Sequence, residues 1–433
     1  MKLRYIIWSV AAVAAMGSSA QTALTLSNAR CRAMALETSE ELRRATNTVE
    51  QAKLVQGATR TNFMPRLSGN ATAVYNPSNT DMMGMELVMK GTYMAGLQLT
   101  QPIYAGGKIS AAYRLSKINS NVAAEQQRAA RMKVIADADN AYWSYVAVLE
   151  KVKLMQAYLT QMDTMYSHTD HEVAAGMATR DRLLRIDARR SEIFYNLQKA
   201  LNGADLCRMA LCKVVGCDFD TQIEPTDTDP EVELVPATDF DITRRPEFAM
   251  LGYSVDAARE QVKMARADFL PTVGLSLNYT HYGNIKVNAM TEMGPFSTRY
   301  SGNSAMGMLS LQVPLFHWGE GVKKVKKARL DVANAQLERE ENLRFMEIEV
   351  RQAAQNVSAG YVLISSATVA MEQAQSNLDM QRNRYEASLA PLTEYLDAMS
   401  QWSQSRSNLI EAKTQYRIYL TEYRRATGML DVD

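Results

Sequence analysis

The chain repeats one plan twice, and each copy joins a pair of short alternating segments to a very long stretch without proline. Arg60-Thr61-Asn62-Phe63-Met64-Pro65 returns as Arg266-Ala267-Asp268-Phe269-Leu270-Pro271, at an offset of 206. Leu97-Gln98-Leu99-Thr100-Gln101-Pro102-Ile103-Tyr104 with Gly107 returns as Leu309-Ser310-Leu311-Gln312-Val313-Pro314-Leu315-Phe316 with Gly319, at an offset of 212. The difference between the two offsets falls between two alternating segments, where a surface loop absorbs an insertion. Duplication at this scale fixes what each segment means before any is assigned a conformation.

Val273, Leu275, Leu277 and Tyr279 alternate with Gly274, Ser276, Asn278 and Thr280, and Leu309, Leu311, Val313 and Leu315 alternate with Ser310, Gln312 and Pro314. A period of two is the mark of a strand with one apolar face. We expect strands over about 67–75 and 93–104 in the first copy and about 273–282 and 306–316 in the second. Each is near the ten residues that cross a bilayer as a tilted strand, although the same pattern also suits a half-buried hairpin. Pro102 and Pro314 suit strand ends better than a central ladder.

After each strand pair comes a proline-free helical run, about 108–175 and about 321–387. At 1.5 Å per residue each would extend roughly 100 Å, far beyond a globular helix, so both read as coiled-coil rods. A 4-3 spacing links Ala138, Tyr142, Tyr145, Leu149, Val152, Gln156, Leu159, Asp163 and Tyr166. The same spacing, shifted by the offset of the strand ends, links Val350, Ala354, Val357, Tyr361, Ile364, Thr368, Met371, Gln375 and Leu378. Shorter helical stretches, Leu26 to Asn62, Asp181 to Val215, Ile242 to Asp268 and Thr393 to Thr427, pair up to match the rods in length. The expected organisation is a first repeat over 21–217, a proline-bearing linker over 218–245 and a second repeat over 246–433.

Lys2 and Arg4 precede an apolar stretch from Tyr5 to Met16, and Ser18-Ser19-Ala20 offers small residues before Gln21. Residues 1–20 read as a secretory signal peptide, the apolar core being too short for a spanning helix. Export makes Cys31, Cys207, Cys212 and Cys217 disulfide candidates. Four cysteines allow three full pairings; Cys31 with Cys212 or Cys217 is the expected bridge.

Lys and Arg number 48 against 47 Asp and Glu, so no basic field recruits nucleic acid. Nothing indicates an enzyme or a cofactor: no phosphate loop, nucleophile elbow or metalloprotease motif occurs. His168 and His171 with Asp170 and Glu172 have a spacing that could hold a metal but lack a further ligand, and read as a solvated helix face. The 26 methionines scatter through seams, strands and loops as core filler. Lys323, Lys324, Lys326 and Lys327 form a basic helix start.

Four membrane strands cannot close a barrel alone, since an open edge in lipid leaves backbone groups unpaired. The barrel must be shared between chains, and periodicity does not choose between two and three.

Taken together, these segments resemble the TolC-like outer-membrane efflux protein family. The likeness rests on the duplicated Phe-x-Pro before a strand and on the duplicated strand ends with Pro102 and Pro314 ahead of Gly107 and Gly319. It also rests on Arg384-Tyr385-Glu386-Ala387-Ser388 leading into Leu392-Thr393-Glu394-Tyr395-Leu396-Asp397-Ala398. It implies a mixed α and β membrane protein: a homotrimer whose 12-stranded transmembrane β-barrel, four strands per chain, continues into a long α-helical coiled-coil barrel. The implied role is a passive outer-membrane exit duct, its helices in the periplasm of a Gram-negative bacterium. Its implied partners are an inner-membrane pump, a periplasmic adaptor (membrane fusion protein) and outer-membrane lipid. Small-molecule efflux is the leading expectation; a type I protein-secretion duct of the same fold and a secreted non-pore coiled-coil protein are the alternatives.

The resemblance also implies site residues. Glu394 and Asp397 align with the two acids of the pore constriction. Gly176, Thr179, Asp181 and Arg182 of the first helical tip, with Ser388 and Pro391 of the second, align with the adaptor-contacting tips. Arg182 stands where a family acid can occur, Ser388 replaces the turn glycine, and Ala390 stands where a gating arginine can occur. Arg182 is therefore expected to pair with an acid of a neighbouring tip, Glu394 or Asp397.

Overall fold

The computed structural model of the chain describes residues 24–82, 85–228, 236–291 and 294–430. The expected signal peptide lies outside them. In chain order the elements are β1 (Leu24–Leu26), α1 (Asn28–Thr38), α2 (Glu40–Arg60), β2 (Arg66–Tyr75), β3 (Thr80–Met82), β4 (Met85–Val88), β5 (Lys90–Ala105), α3 (Lys108–Ala174) and α4 (Arg180–Val215). The second half supplies β6 (Ile223–Pro225), α5 (Pro246–Ala267), β7 (Thr272–Thr291), β8 (Gly294–Gln312), α6 (Glu320–Glu386) and α7 (Leu392–Ala426). Both α3 and α6 run for 67 residues, and their bounds differ by the offset seen in the sequence. The chain divides into two compact units.

One unit holds residues 46–126 and 249–343. Its sheet runs β2-β5-β7, with β8 on the other edge of β7; all of these pairings are antiparallel. Register places Leu277 opposite Leu99 of β5 and Gly307 of β8, and Leu275 opposite Leu309. Because cross-strand partners share a face, Leu67, Leu97, Leu99, Leu275, Leu277, Leu309 and Leu311 form one apolar side. Ser68, Gln98, Thr100, Ser276, Asn278 and Ser310 form a polar one. Polar on one face and leucine-rich on the other is the division expected between lumen and lipid.

Each strand pair enters its long helix through a left-handed turn. Gly106 and Gly107 take φ of 61° and 83°, and their counterparts in the second repeat, Trp318 and Gly319, take 49° and 75°. A Cβ on Gly106 would stand 2.7 Å from the Ala267 carbonyl oxygen, so only glycine fits there. Phe63 meets Tyr113 edge-on at 6.2 Å, and Lys108 and Arg114 reach Asp268 and Glu260 at 2.6 and 2.9 Å.

The other unit holds residues 1–45, 127–248 and 344–433, and its core is a helical seam tied by a small parallel sheet, β1 on β6. Leu26, Cys31, Ala35, Tyr142, Tyr145, Leu211, Cys212 and Val215 are buried together. Tyr142 and Tyr145 donate their hydroxyls to the Leu26 and Ile223 carbonyls at 3.2 and 3.0 Å, which attaches the sheet to α3. Asp139 is 0 % exposed and takes a bidentate bond from Arg32, both distances 2.7 Å, and a third from Thr421 Oγ1 at 2.6 Å. Full pairing is what permits a carboxylate to sit at that depth. On the other rod Val350, Ala354, Val357 and Ile364 pack on Tyr416, Tyr423 and Ala426. Each large apolar side chain buried this way contributes roughly 1.5–3 kcal/mol.

Several elements depart from the sequence-based bounds. The stretch Leu26 to Asn62 is two helices, broken at Ser39, whose Oγ accepts from the Leu42 amide at 3.2 Å and caps α2. β7 and β8 continue to Thr291 and from Gly294, and β8 ends at Gln312, so Pro314 follows the ladder. The extensions carry Asn284, Gly294 and Pro295, turn-forming residues that read as loop in the sequence. Between the two expected strands of the first copy lies the β3–β4 hairpin, with β4 pairing to β7 at residues 286–289. On α3 the seam leaves its predicted register after Val152: Gln156 and Asp163 are exposed, and Tyr158, Met162 and Thr169 are buried instead. An α-helix drifts about 20° per heptad from a strict seven-residue repeat, which carries the seam sideways. Among the described residues no helix is long and apolar enough to cross a membrane.

Candidate functional site

Two helical hairpins, α3–α4 and α6–α7, end in tight turns that are copies of each other. Gly176 holds φ 72°, and its counterpart Ser388 holds φ 59° in glycine's place. The left-handed residue lets the chain reverse within a few positions: Met177 N–H bonds to the Glu172 carbonyl at 2.8 Å, and Leu389 N–H to that of Arg384 at 2.7 Å. Thr179 and Pro391 then sit at the N-caps of α4 and α7 with extended backbone and make no side-chain cap bond. Asp181 and Glu394 occupy the first turns, where a carboxylate opposes the positive end of the helix.

Behind the turns the hairpins pack through Tyr158, Met162, Ile186, Leu392, Tyr395, Ala398 and Met399. Glu394 and Asp397 lie three apart on the opposite, exposed side of α7, one above the other. Arg384 approaches Glu394 at 3.8 Å, and both side chains are about half exposed.

Arg182 is the link between the hairpins. Its guanidinium donates to the Tyr385 hydroxyl, lies 4.8 Å over the Tyr385 ring and pairs with Glu172 at 3.4 Å. Tyr385 in turn stacks on Tyr395 at 5.4 Å, and Tyr395 accepts from Gln161 of α3 at 3.1 Å. Arg190 and Asp163 form a further pair between α4 and α3. Burial pushes the Tyr158 and Tyr395 hydroxyls above the ordinary tyrosine range, so both stay protonated hydrogen-bonding groups.

The expected partner of Arg182, an acid of the other tip, is thus replaced by Tyr385 of that tip and Glu172 of its own hairpin. Gly176, Thr179, Asp181, Ser388 and Pro391 are exposed at the turns. Sequence reasoning read Glu172 as part of a solvated helix face and found neither its pairing with Arg182 nor the Tyr385–Tyr395 stack. The available signal was Tyr385 directly after Arg384 at the end of α6, with a second tyrosine just inside α7. His168 sits 3.5 Å from Glu172, and His171 Nδ1 lies 2.6 Å from the Ser167 carbonyl. Among the described residues no cluster of three His, Cys, Asp or Glu is arranged for a metal ion.

A sheet with one apolar face, duplicated long helices and paired helical tips define a channel protein that joins a membrane strand array to a helical conduit. The chain belongs to the outer membrane efflux protein family, whose profile matches residues 32–204 and 242–429. It is 25 % identical over 417 residues to outer membrane protein OprJ of Pseudomonas aeruginosa, covering 91 % of this chain and 82 % of OprJ. It is 23 % identical over 347 residues to the alkaline protease secretion protein AprF of the same organism, covering 78 % and 70 %. Its fold matches that of the Campylobacter jejuni CmeC outer membrane channel with a TM-score of 0.79 at 19 % identity, over 93 % of this chain and 85 % of CmeC. As a TolC-like outer membrane factor it is an outer-membrane exit duct of efflux or secretion systems, with its helical part in the periplasm. Its relatives are channels, not enzymes.

Proposed function

We propose that three copies of this chain close one 12-stranded barrel and form a passive duct for small molecules, joined at the tips to a periplasmic adaptor and an inner-membrane pump. The observation that carries the reading is the sheet itself: β2 and β8 are its outer strands, and its apolar face suits lipid. Unpaired edges in hydrocarbon cost several kcal/mol per group, so β8 of one copy pairs with β2 of the next.

Gly176, Thr179, Asp181, Arg182, Ser388 and Pro391 are the adaptor-contacting surface in this reading, supported by the exposure of all but the half-buried Arg182 and by the neighbouring Met177, Leu184 and Leu389, 76 %, 58 % and 71 % exposed. Glu394 and Asp397 form the constriction: three copies of each carboxylate around a narrow axis draw cations in and repel one another. Opening separates the two hairpins of each chain, so the Arg182 contacts oppose it.

The mass of protein extracted from outer membranes in detergent, by light scattering corrected for bound detergent, tests the assembly. A trimer supports the shared barrel, and a monomer or dimer refutes it. Reconstituted trimers carrying Glu394→Gln with Asp397→Asn then test the constriction, with loss of cation preference expected. Similarity to AprF, a protease secretion protein by name, favours protein export as the second reading. A deletion strain that gains drug sensitivity while its secreted proteins are unchanged supports small-molecule efflux, and the opposite result supports AprF-like export.

A further inference from the structure

The four cysteines meet in one core. Cys31 of α1 and Cys212 of α4 are wholly buried in it, and Cys207 and Cys217 pack half-buried against the same cluster. Helix α4 ends in a Schellman turn: Gly216 takes φ 77°, and the N–H groups of Gly216 and Cys217 both donate to the Cys212 carbonyl, at 2.8 and 3.1 Å. This turn places Cys212, in the last turn of α4, against Cys217, the second residue beyond the helix, so their side chains face each other. Both thiols are free in the structure, and Cys217 lies near enough to add to the upward shift that burial gives Cys212. Cys31 instead directs its Sγ to the Ala138 carbonyl at 3.8 Å.

The second repeat supplies an internal control. Gly428 takes φ 71° at the end of α7, and Met429 N–H bonds to the Arg424 carbonyl at 2.8 Å. Arg424 and Met429 are the counterparts of Cys212 and Cys217 at the repeat offset. The same turn therefore forms without a thiol pair, and the cysteine pair is confined to the first copy.

We propose that Cys212 and Cys217 form a disulfide across the cap of α4 in the mature periplasmic protein, stapling the turn that feeds β6. Cα atoms brought together by a six-residue turn fall within the separation a disulfide spans, and the oxidising compartment favours the bond. Burial pushes the thiol of Cys31 up to about 12 and that of Cys212 up to about 11, Cys217 adding to the latter. Both stay protonated while buried, so the half-exposed Cys217 reacts first. Its thiolate attacks the disulfide of a periplasmic thiol–disulfide oxidase, forming a mixed disulfide and releasing one oxidase sulfur. Cys212 then gives up its proton and displaces the second oxidase sulfur from Cys217. Two electrons and two protons leave the pair, and the oxidase departs as a dithiol.

The chain is well placed for the test, because Arg30, Arg32, Arg208 and Lys213 put every cysteine on its own tryptic peptide. Protein purified from outer membranes without reductant is alkylated in denaturant, digested and analysed by mass spectrometry. The expected result is residues 209–213 joined to 214–244, two hydrogens lighter than the separate peptides, with Cys31 and Cys207 alkylated. The joined species is lost on reduction and in Cys217→Ala, and persists in Cys31→Ser. Alkylation of all four cysteines, or a bond from Cys31 to either Cys212 or Cys217, overturns the assignment.

Discussion

Arg182→Ala removes one polar tie between the two tip hairpins of one chain while their apolar packing stays, and its effect on gating follows from the geometry. Three interactions disappear: a hydrogen bond from a charged donor to the Tyr385 hydroxyl, a guanidinium 4.8 Å over the Tyr385 ring, and an ion pair with Glu172 at 3.4 Å. The first contributes about 1.5 kcal/mol or more, and the second about 0.5–1 kcal/mol at a partly exposed site. The third contributes less than about 1 kcal/mol, because Arg182 and Glu172 remain 32 % and 25 % exposed. A loss near 2–3 kcal/mol per chain raises the ratio of separated to packed hairpins about 30- to 150-fold. Tyr385→Phe keeps the ring and loses only the hydroxyl, so its effect is nearer tenfold. The pair shares one contact, so the double variant adds little to Arg182→Ala. Single-channel recording in planar bilayers measures the open probability directly. Wild-type gating in both single variants, or full additivity in the double, refutes the proposed latch.

Asp139→Ala leaves Arg32 facing a vacated core position and costs about 3–5 kcal/mol, visible as a lowered thermal midpoint with the tip contacts untouched. Glu349 is pulled two ways: burial raises its pKa, but Arg245 and Arg425, at 2.7 and 2.8 Å, overcome this and hold it below the usual carboxylate range. That stabilisation is present above the unfolded value of about 4.3 and is lost as pH falls through the lower folded value; Glu349→Gln flattens this part of a stability–pH profile. Ser388→Gly relieves a left-handed residue at the second tip and stabilises by about 1 kcal/mol in denaturant melts. Gly216→Ala does the reverse by more than about 1 kcal/mol, because its Cβ would stand 2.6 Å from Thr38 Cβ.

The duplication made the long elements legible. Proline-free runs of helical spacing set out α3 and α6 almost to the residue, because Gly106-Gly107 and Gly319 mark where each strand pair turns into its helix. Alternating leucines set out the membrane-height parts of β5, β7 and β8. Their extensions were not legible, because Asn284, Gly294 and Pro295 are turn-forming residues that read as loop. The seam was legible on α6 at Val350, Ala354, Val357, Ile364 and Leu378, with Tyr361 of the same spacing exposed, but on α3 a fixed seven-residue spacing ran against the natural pitch of the helix after Val152. At the tips, exposure and turn positions followed from the repeat. The partner of Arg182 did not, because charge alone pointed to an acid, whereas the planar guanidinium found a tyrosine ring as well.

The left-handed turns also bear on the ancestry of the chain. Gly106 and Trp318, Gly176 and Ser388, and Gly216 and Gly428 are related by one offset and share one sign of φ, yet two of the three pairs no longer share a residue. Backbone handedness is shared where the residue is not. A substitution at such a position costs about 1–2 kcal/mol, whereas reversing the turn would dismantle the hairpin or the strand-to-helix junction. Torsional sign is therefore the slower clock, and ancient duplications in other channels should be sought in the register of their left-handed residues as well as in their letters.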